Sequence, residues 1–327
     1  MVMAAVIHEK GAPDVFRWEE VEVGDPGPGE VRLRNNAVGV NYVDTYHRRG
    51  MPHPWPVPPL PVILGFEAAG EVLAVGPGVD GFAAGDRVAY AMPPHGAYSQ
   101  ERIYPVDKLL RVPDRIDDRT LAAVMLKGLT AQYLLRRTYR VAPGDVILVH
   151  AAGGGMGLLL CQWARDLGAT VIGTVGSDAK TEQAKAHGCD HALLYKGGGY
   201  VQEIETITAG RGVDVVYDGV GRETFNSSLE CLAMLGHLVS FGQASGAVPP
   251  LEFGLLSAKS ATLTRPVLFH YTASREDLVA TAGELFDVMG QGVVEIKVSA
   301  TRPLTEVAQA HRDLEARRTT GSTVFIP

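Results

Sequence analysis

Cysteine is scarce in this chain of 327 residues: there are three, Cys161, Cys189 and Cys231. They are too few and too scattered for a disulfide framework, which fits a reducing compartment. No stretch approaches the roughly 18 consecutive apolar residues of a membrane span. The segment Met1 to Lys10 lacks the basic start and long apolar run of a signal peptide. Positive charge is not in excess either. Lys and Arg number 30 against 37 Asp and Glu, a net charge of −7, whereas non-specific nucleic-acid binding needs a basic footprint. The expectation is a cytoplasmic globular protein with no membrane or nucleic-acid partner. Its length suits two domains, large enough to bury a core without disulfide or metal staples.

What is present is most informative at residues 146–167. An apolar run, Val146-Ile147-Leu148-Val149, leads into Ala151-Ala152-Gly153-Gly154-Gly155-Met156-Gly157. Leu158, Leu159, Leu160, Cys161, Trp163, Ala164 and Leu167 follow with helical periodicity. Strand, glycine turn and helix stand in the order that a dinucleotide pyrophosphate requires. Glycine lets backbone approach phosphate, and a helix N-terminus offers unpaired N–H groups and a positive dipole end. Ala152 occupies the first slot of the G-x-G-x-x-G pattern, with Gly154 and Gly157 in the later ones. This variant needs support from the rest of the chain.

That support comes from alternation. Apolar runs at 146–149, 170–175, 191–194, 213–217, 237–241 and 261–264 predict strands. Helical segments lie between them, with glycine stops expected at Gly168, at Gly188 after 178–187, at Gly210 after 200–209 and at Gly236 after 222–235. Near-continuous apolar strands joined by helices predict a doubly wound parallel sheet covered on both faces. The first 120 residues differ. Short β segments at 2–7, 31–40, 68–75 and 87–90, separated by turns, predict an antiparallel, partly barrel-shaped domain. The tail carries helical stretches near 274–290 and 304–317, then a strand, Ser322–Ile326, expected to return to the first domain. The expected division is residues 1–125 with 266–327, and residues 126–265. Pro52–Pro61 holds six prolines in ten residues, a stiff extended loop.

Several predicted strands end in polar or glycine loops: 151–157, 173–177, Asp218-Gly219-Val220-Gly221 and Gly242-Gln243-Ala244-Ser245-Gly246. Each alone is an ordinary βα turn. Four at one edge of one sheet favour a long, flat ligand lying across it. About 20 residues beyond the glycine turn, where an NAD site places its acid, stands Ser177, then Asp178 and Lys180. Ser177 and Lys180 suit a 2′-phosphate and point to NADP. Asp178 is accounted for as the first-turn acid of the next helix, and Lys180 reads equally as a solvated helix lysine.

These residues, with Asn41-Tyr42-Val43-Asp44-Thr45-Tyr46, Leu64-Gly65-Phe66-Glu67-Ala68-Ala69-Gly70, Gly85-Asp86-Arg87-Val88, Lys127-Gly128-Leu129-Thr130, Tyr217-Asp218-Gly219-Val220-Gly221 and Thr264-Arg265-Pro266, resemble the zinc-independent quinone oxidoreductases. That is the ζ-crystallin-like branch of the medium-chain dehydrogenase/reductases. The resemblance spans nearly the whole chain. It implies a GroES-like catalytic domain, a Rossmann domain binding NADPH, and a homodimer formed through the Rossmann domain. It implies reduction of quinones and related α,β-unsaturated carbonyls by hydride or electron transfer without metal. Zinc-dependent members of the superfamily place a cysteine where Asn41 stands and a histidine where Phe66 stands, so no metal site is expected. His47, His53 and His95 read as loop or surface histidines.

Without a Lewis acid, the acceptor must already be electrophilic, as quinones and enones are. The protein then mainly aligns the reactants and excludes water. Tyr46 is the expected donor to the acceptor oxygen, with Asn41 and Tyr42 as supports and Thr130 at the nicotinamide end. By resemblance, Asn41 and Asp44 lie in the loop beside the nicotinamide, and Gly154, Gly155, Met156 and Gly157 hold the pyrophosphate. Gly173, Ser177, Lys180 and Tyr195 surround the adenosine 2′-phosphate. Gly219, Phe241, Gly242, Leu263 and Arg265 line the nicotinamide side, and Arg317 closes on the cofactor from the tail. Arg312, Arg317 and Arg318 together also read as a solvated basic face. Glu67 and Asp86 read as structural. Relatives often carry a tyrosine after the Arg-x-Gly of this loop, whereas here Arg48-Arg49-Gly50 precedes Met51-Pro52-His53-Pro54-Trp55. Trp55 is the expected replacement, stacking on a flat acceptor. Two alternatives stay open. One is an NADPH-dependent enone or enoyl reductase on the same scaffold, and the other an NADPH-binding structural or RNA-binding ζ-crystallin-like protein.

Overall fold

Between Val31 and Ala37, buried Val31, Leu33, Asn35 and Ala37 alternate with the more exposed Arg32, Arg34 and Asn36. This period of two makes a strand with one face in a core. The computed structural model describes residues 1–51, 59–195 and 199–327. The chain divides into two units, residues 1–127 with 274–282 and 296–327, and residues 128–273 with 283–295.

The first unit begins with β1 (Val2–Ile7), β2 (Phe16–Val21), β3 (Glu30–Gly39) and helix α1 (Tyr42–Arg49). Then come β4 (Val62–Ile63), β5 (Ala68–Val75), β6 (Arg87–Tyr90), β7 (Glu101–Pro105) and β8 (Leu110–Arg111). Helix α2 (Asp118–Tyr133) carries the chain into the second unit. There strands and helices alternate: β9 (Val146–Val149), α3 (Gly155–Asp166), β10 (Thr170–Val175), α4 (Asp178–Ala186), β11 (His191–Leu194), α5 (Tyr200–Ile207), β12 (Val213–Asp218), α6 (Phe225–Cys231), β13 (Leu232–Ser240), α7 (Gly254–Ser257) and β14 (Thr262–Thr264). The tail holds α8 (Leu268–Tyr271), α9 (Arg275–Gly290), β15 (Val298–Pro303), α10 (Val307–Glu315) and β16 (Ser322–Ile326).

The second unit's sheet is parallel throughout, in the order β11-β10-β9-β12-β13-β14. Numbered by appearance this is 3-2-1-4-5-6, the dinucleotide-binding order, which reverses between β9 and β12. Leu148, Ile172, Val216 and Leu238 fill its core. The first unit's main sheet runs β15-β16-β3-β5-β6-β8, with β7 also on β3. It is antiparallel except where β16 pairs β15. Leu33, Val72, Tyr90, Tyr98 and Phe325 share its core.

The helix expected over 222–235 is shorter. Only Phe225–Cys231 is helical, and Gly236 lies inside β13 rather than ending a helix. Sheet pairing overrides the apolar stripe there. Leu232 pairs Val213, and Leu235, at φ 64°, gives its N–H to the Lys259 carbonyl at 2.7 Å. The stops at Gly168, Gly188 and Gly210 all have positive φ. Residues 266–273 and 283–295, expected with the first domain, pack within the second unit. Tyr271 stacks on Tyr133 with centroids 4.4 Å apart. Leu285 lies so close to Gly128 that a Cβ there would meet it at 2.5 Å.

Candidate active site

The second unit builds its candidate site from backbone. Gly154 is the N-cap of α3, and the following N–H groups of the first helical turn have no partner inside the helix. Gly157 packs against the turn behind it: a Cβ there would stand 2.4 Å from the Ala151 carbonyl and 2.6 Å from Ala152 Cα. Gly173 does similar work one strand over, where a Cβ would meet Ala152 and Cys189. Gly153 lies against Lys180, whose Cβ is 2.9 Å from the position of an added Cβ. Ser177 is the N-cap of α4, and its carbonyl accepts the Lys180 N–H at 3.0 Å. Gly176 neighbours Tyr195. The turn, Ser177, Lys180 and Tyr195 thus gather around the ends of β9 and β10.

The other half of this edge follows β12 and β13. A Cβ on Gly219 would contact the Phe241 ring at 2.9 Å, and one on Gly242 would meet the Gly219 carbonyl at 2.4 Å. Arg265 ties this pair of loops, donating to the Ser240 and Gly242 carbonyls at 2.7 and 2.8 Å. Leu263 pairs Leu238 in β14 and packs on the sheet core.

Beneath the edge lies a buried network, of which sequence patterning marked only Asp218 and the loop that holds Thr174. His150 reaches Thr174 Oγ1 at 2.8 Å through Nδ1 and Ser228 Oγ at 3.0 Å through Nε2. Ser228 donates to Asp218 Oδ2, and Thr224 bonds the same carboxylate. Asp218 Oδ1 accepts the N–H groups of Val220 and Gly221 at 2.8 and 3.0 Å. Burial holds His150 below the usual histidine range, keeping the ring neutral as a bridge between strand ends. In the sequence His150 stands between the apolar run and the glycine turn, with nothing beside it to mark a partner.

The first unit builds its candidate site from ionisable side chains. Asn41 caps α1 and is buried. Its Nδ2 donates to Glu67 Oε2 at 2.6 Å, and Glu67 Oε1 accepts the Leu126 N–H at 2.7 Å. Lys127 Nζ lies 3.6 Å from Glu67. Burial pushes the Glu67 carboxyl up, and Lys127 opposes that. Asp44 accepts the Asn41 N–H at 2.9 Å, and burial pushes its carboxyl up to about 7. Tyr46 is buried, edge-on to Tyr42 with centroids 5.5 Å apart. His47 and His95 rings lie 4.5 Å apart, each against Phe66. Thr130 lies on α2, and Arg317 follows α10 at φ 58°. Trp55 and His53 lie outside the described residues. Asp86 and Arg87 are structural, as expected: Asp86 bonds the Ala83 N–H and Arg111, and Arg87 bonds Asp118.

A doubly wound unit with a phosphate-ready turn, joined to an antiparallel β unit with a capped helix beside a buried carboxylate, defines a medium-chain dehydrogenase/reductase. Family models agree: "Alcohol dehydrogenase GroES-like domain" matches residues 27–145 and "Zinc-binding dehydrogenase" residues 155–284. A 2-haloacrylate reductase of Burkholderia sp is 51% identical, covering 100% of this chain and 99% of the relative. A quinone oxidoreductase of Pseudomonas aeruginosa is 48% identical over 97% of each chain. The crystal structure of Escherichia coli quinone oxidoreductase complexed with NADPH is similar at TM-score 0.96 and 43% identity, covering 99% of this chain and 100% of that one. The chain belongs to the quinone oxidoreductase family of the medium-chain dehydrogenase/reductases.

The second family model's description implies zinc, and the donor set does not fit it. Asn41 presents an amide already committed to Glu67, and Phe66 presents a ring. Among the described residues no group of three or more His, Cys, Asp and Glu could hold a metal ion. Nor is any helix among them long and apolar enough to cross a membrane.

Proposed function

We propose that this protein is an NADPH-dependent reductase of quinones. The observation that carries the reading is the pairing of two arrangements. Lys180 lies against the glycine turn beside Ser177, suited to a 2′-phosphorylated nucleotide. Asn41, Glu67 and Lys127 form a hydrogen-bonded and charged set committed to one another rather than to a metal, suited to an acceptor that is electrophilic on its own. NADPH, when bound, supplies the hydride.

The chain's own residues do the rest. Gly154, Gly155, Met156 and Gly157 hold the pyrophosphate at the first turn of α3, and Ser177, Lys180 and Tyr195 hold the adenosine end. Gly219, Phe241, Gly242 and Arg265 shape the nicotinamide end, with Leu263 behind them and Thr130, Asp44 and Arg317 as further contacts. Tyr46 donates to the acceptor oxygen, with Tyr42 and Trp55 shaping its pocket. Glu67 fixes the Asn41 amide through the 2.6 Å bond. A reduced quinone takes its proton from water, so Tyr46 orients the acceptor more than it protonates it.

A second acceptor class, a C=C bond conjugated to a carbonyl, is favoured by the name of the 51% identical Burkholderia relative. That reaction needs a proton at Cα, so Tyr46 matters more there. NADPH consumption measured over quinones, enones and 2-substituted acrylates, with NADH for comparison, tests both. Tyr46→Phe is expected to lower quinone kcat/KM by about threefold and enone kcat/KM by about tenfold or more. No NADPH oxidation with any quinone or enone sinks the proposal.

We also infer a cytoplasmic homodimer. Cys161, Cys189 and Cys231 are buried free thiols. Met234, Leu235, Phe253 and Leu255 are exposed on the second unit near its edge strand β14, and such edges invite pairing. Light scattering that returns a mass near 34.9 kDa overturns the dimer.

A further inference from the structure

Behind α1, inside the first unit, runs a chain of buried polar side chains whose far members, Tyr98 and His311, have no part in the proposed reaction. Asp44 Oδ2 accepts two hydrogen bonds, from the Asn41 N–H at 2.9 Å and from the Tyr98 hydroxyl at 2.8 Å. Asp44 Oδ1 is buried with no hydrogen-bond partner among the described residues. The hold of this carboxylate on the chain therefore passes through Oδ2 alone. The Tyr98 oxygen is also 3.0 Å from His311 Nε2 on α10. A hydroxyl has one proton, and Tyr98 gives it to Asp44, so His311 Nε2–H is the donor to Tyr98. Burial, reinforced by nearby Arg48, lowers His311 to about 3, so the ring is neutral and carries a single proton. Phe16 braces the His311 ring edge-on at 4.9 Å. The direction of donation is thus fixed: His311 to Tyr98, Tyr98 to Asp44, with Asp44 receiving the Asn41 amide. A second tie joins the same two helices, Arg48 Nη2 to Glu315 Oε1 at 2.7 Å.

We propose that Tyr98 and His311 are positioning residues that hold the start of α1, and with it Asn41 and Tyr46, in place for the acceptor. This rests on the reading of Asn41 and Tyr46 as the acceptor-side groups. A phenol and an imidazole 213 residues apart are a costly way to fill an apolar core. Bonding to one another offsets part of that cost, and the chain that Tyr98 joins ends on the capping acid of α1.

Groups of every neighbouring element face Asp44. Glu67, ahead of β5, raises its carboxyl further, while Lys127 of α2 and the Tyr98 hydroxyl lower it. Beyond Tyr98 stand Arg48 of α1, itself paired to Glu315, and His311 of α10. Loss of the Tyr98 donor weakens the ionised form of Asp44 and moves its titration upward.

The test uses the whole chain of 327 residues and three variants. Tyr98→Phe removes one hydroxyl, His311→Leu removes the donor, and His311→Gln restores an N–H donor. Amide hydrogen exchange over residues 38–46, read without any acceptor, is expected to speed by about tenfold in Tyr98→Phe and His311→Leu and to return to within about twofold of the parent in His311→Gln. Acceptor kcat/KM is expected to fall by about tenfold in the first two, with NADPH Kd unchanged within about twofold. A limb of the kcat/KM pH profile that follows the Asp44 carboxyl moves to higher pH in Tyr98→Phe. Exchange and kcat/KM that stay at parent values in Tyr98→Phe and His311→Leu overturn the proposal, as does a His311→Gln protein as impaired as His311→Leu. Exchange that responds as expected in a protein that reduces no quinone or enone upholds the positioning chain and removes the proposed function instead.

Discussion

The two candidate sites are made of different material. In the second unit the candidate site is built from backbone N–H groups and glycines, supported by the hydrogen-bonded network of His150, Ser228, Thr224 and Asp218. In the first unit the comparable position holds buried ionisable side chains: Asp44, Glu67 and, behind α1, Arg48 and His311. A backbone-built site tolerates almost no added atom. A site of buried charge tolerates small shape changes but depends on every partner and on pH. The first suits a constant ligand such as a nucleotide. The second suits a site where an acceptor must be oriented and a proton kept under control.

The largest expected effect breaks the first half of this contrast. Gly157→Val puts a side chain where even a Cβ would stand 2.4 Å from the Ala151 carbonyl. NADPH Kd, followed by nucleotide fluorescence, should rise by about 100-fold or more, roughly 3 kcal/mol, with unfolding stability reduced by about 1–3 kcal/mol. A variant that binds NADPH like the parent would show that the turn is not the pyrophosphate cradle.

A second prediction tests the charged half. Asp44 has a folded pKa of about 7 against an unfolded value near 3.8, raised mainly by burial. Between those values the folded protein binds one more proton than the unfolded chain. This group's contribution to stability is therefore greatest below about pH 4 and declines as pH rises towards 7, by at most about 1.4 kcal/mol per pH unit. Denaturant titrations of parent and Asp44→Asn from pH 4 to 8 should diverge along that slope. Parallel curves would mean that Asp44 is not held in a costly ionised state. The smallest effect sharpens the nucleotide half. Lys180→Ala should raise NADPH Kd by about tenfold and leave NADH Kd unchanged, measured by isothermal titration. Equal losses for both nucleotides would make Lys180 a packing residue of the turn.

The same contrast explains what the sequence disclosed. The strands at 146–149, 170–175 and 191–194 and the stops at Gly168, Gly188 and Gly210 fall as periodicity predicts, because each is set by neighbours a few residues away. The glycine turn belongs to this class, and Ser177 and Lys180 follow it at a fixed distance. The helix expected over 222–235 failed where a long-range demand, the pairing of Leu232 with Val213, overrode a local stripe. The Asp44–Tyr98–His311 chain was invisible for the same reason. Its members lie 54 and 213 residues apart, and nothing near Tyr98 or His311 marks either as anything but a core aromatic or a helix residue. Glu67 and Lys127 stood in recognisable segments, but the bond of Glu67 to Asn41 and its ion pair with Lys127 needed the fold.

Strand β16 occupies an interior place in the first unit's sheet, between β15 and β3, with Val324 and Phe325 fully buried. A ribosome makes β3 before β16, and the whole segment 128–273 emerges in between. The nucleotide-binding sheet has all six of its strands once Thr264 has left the exit tunnel. The first unit's sheet must wait, with an open slot beside β3, until β16 has emerged as well. Maturation thus has a built-in order, and the half-finished slot is an exposed strand edge that a chaperone or a neighbouring nascent chain would meet first.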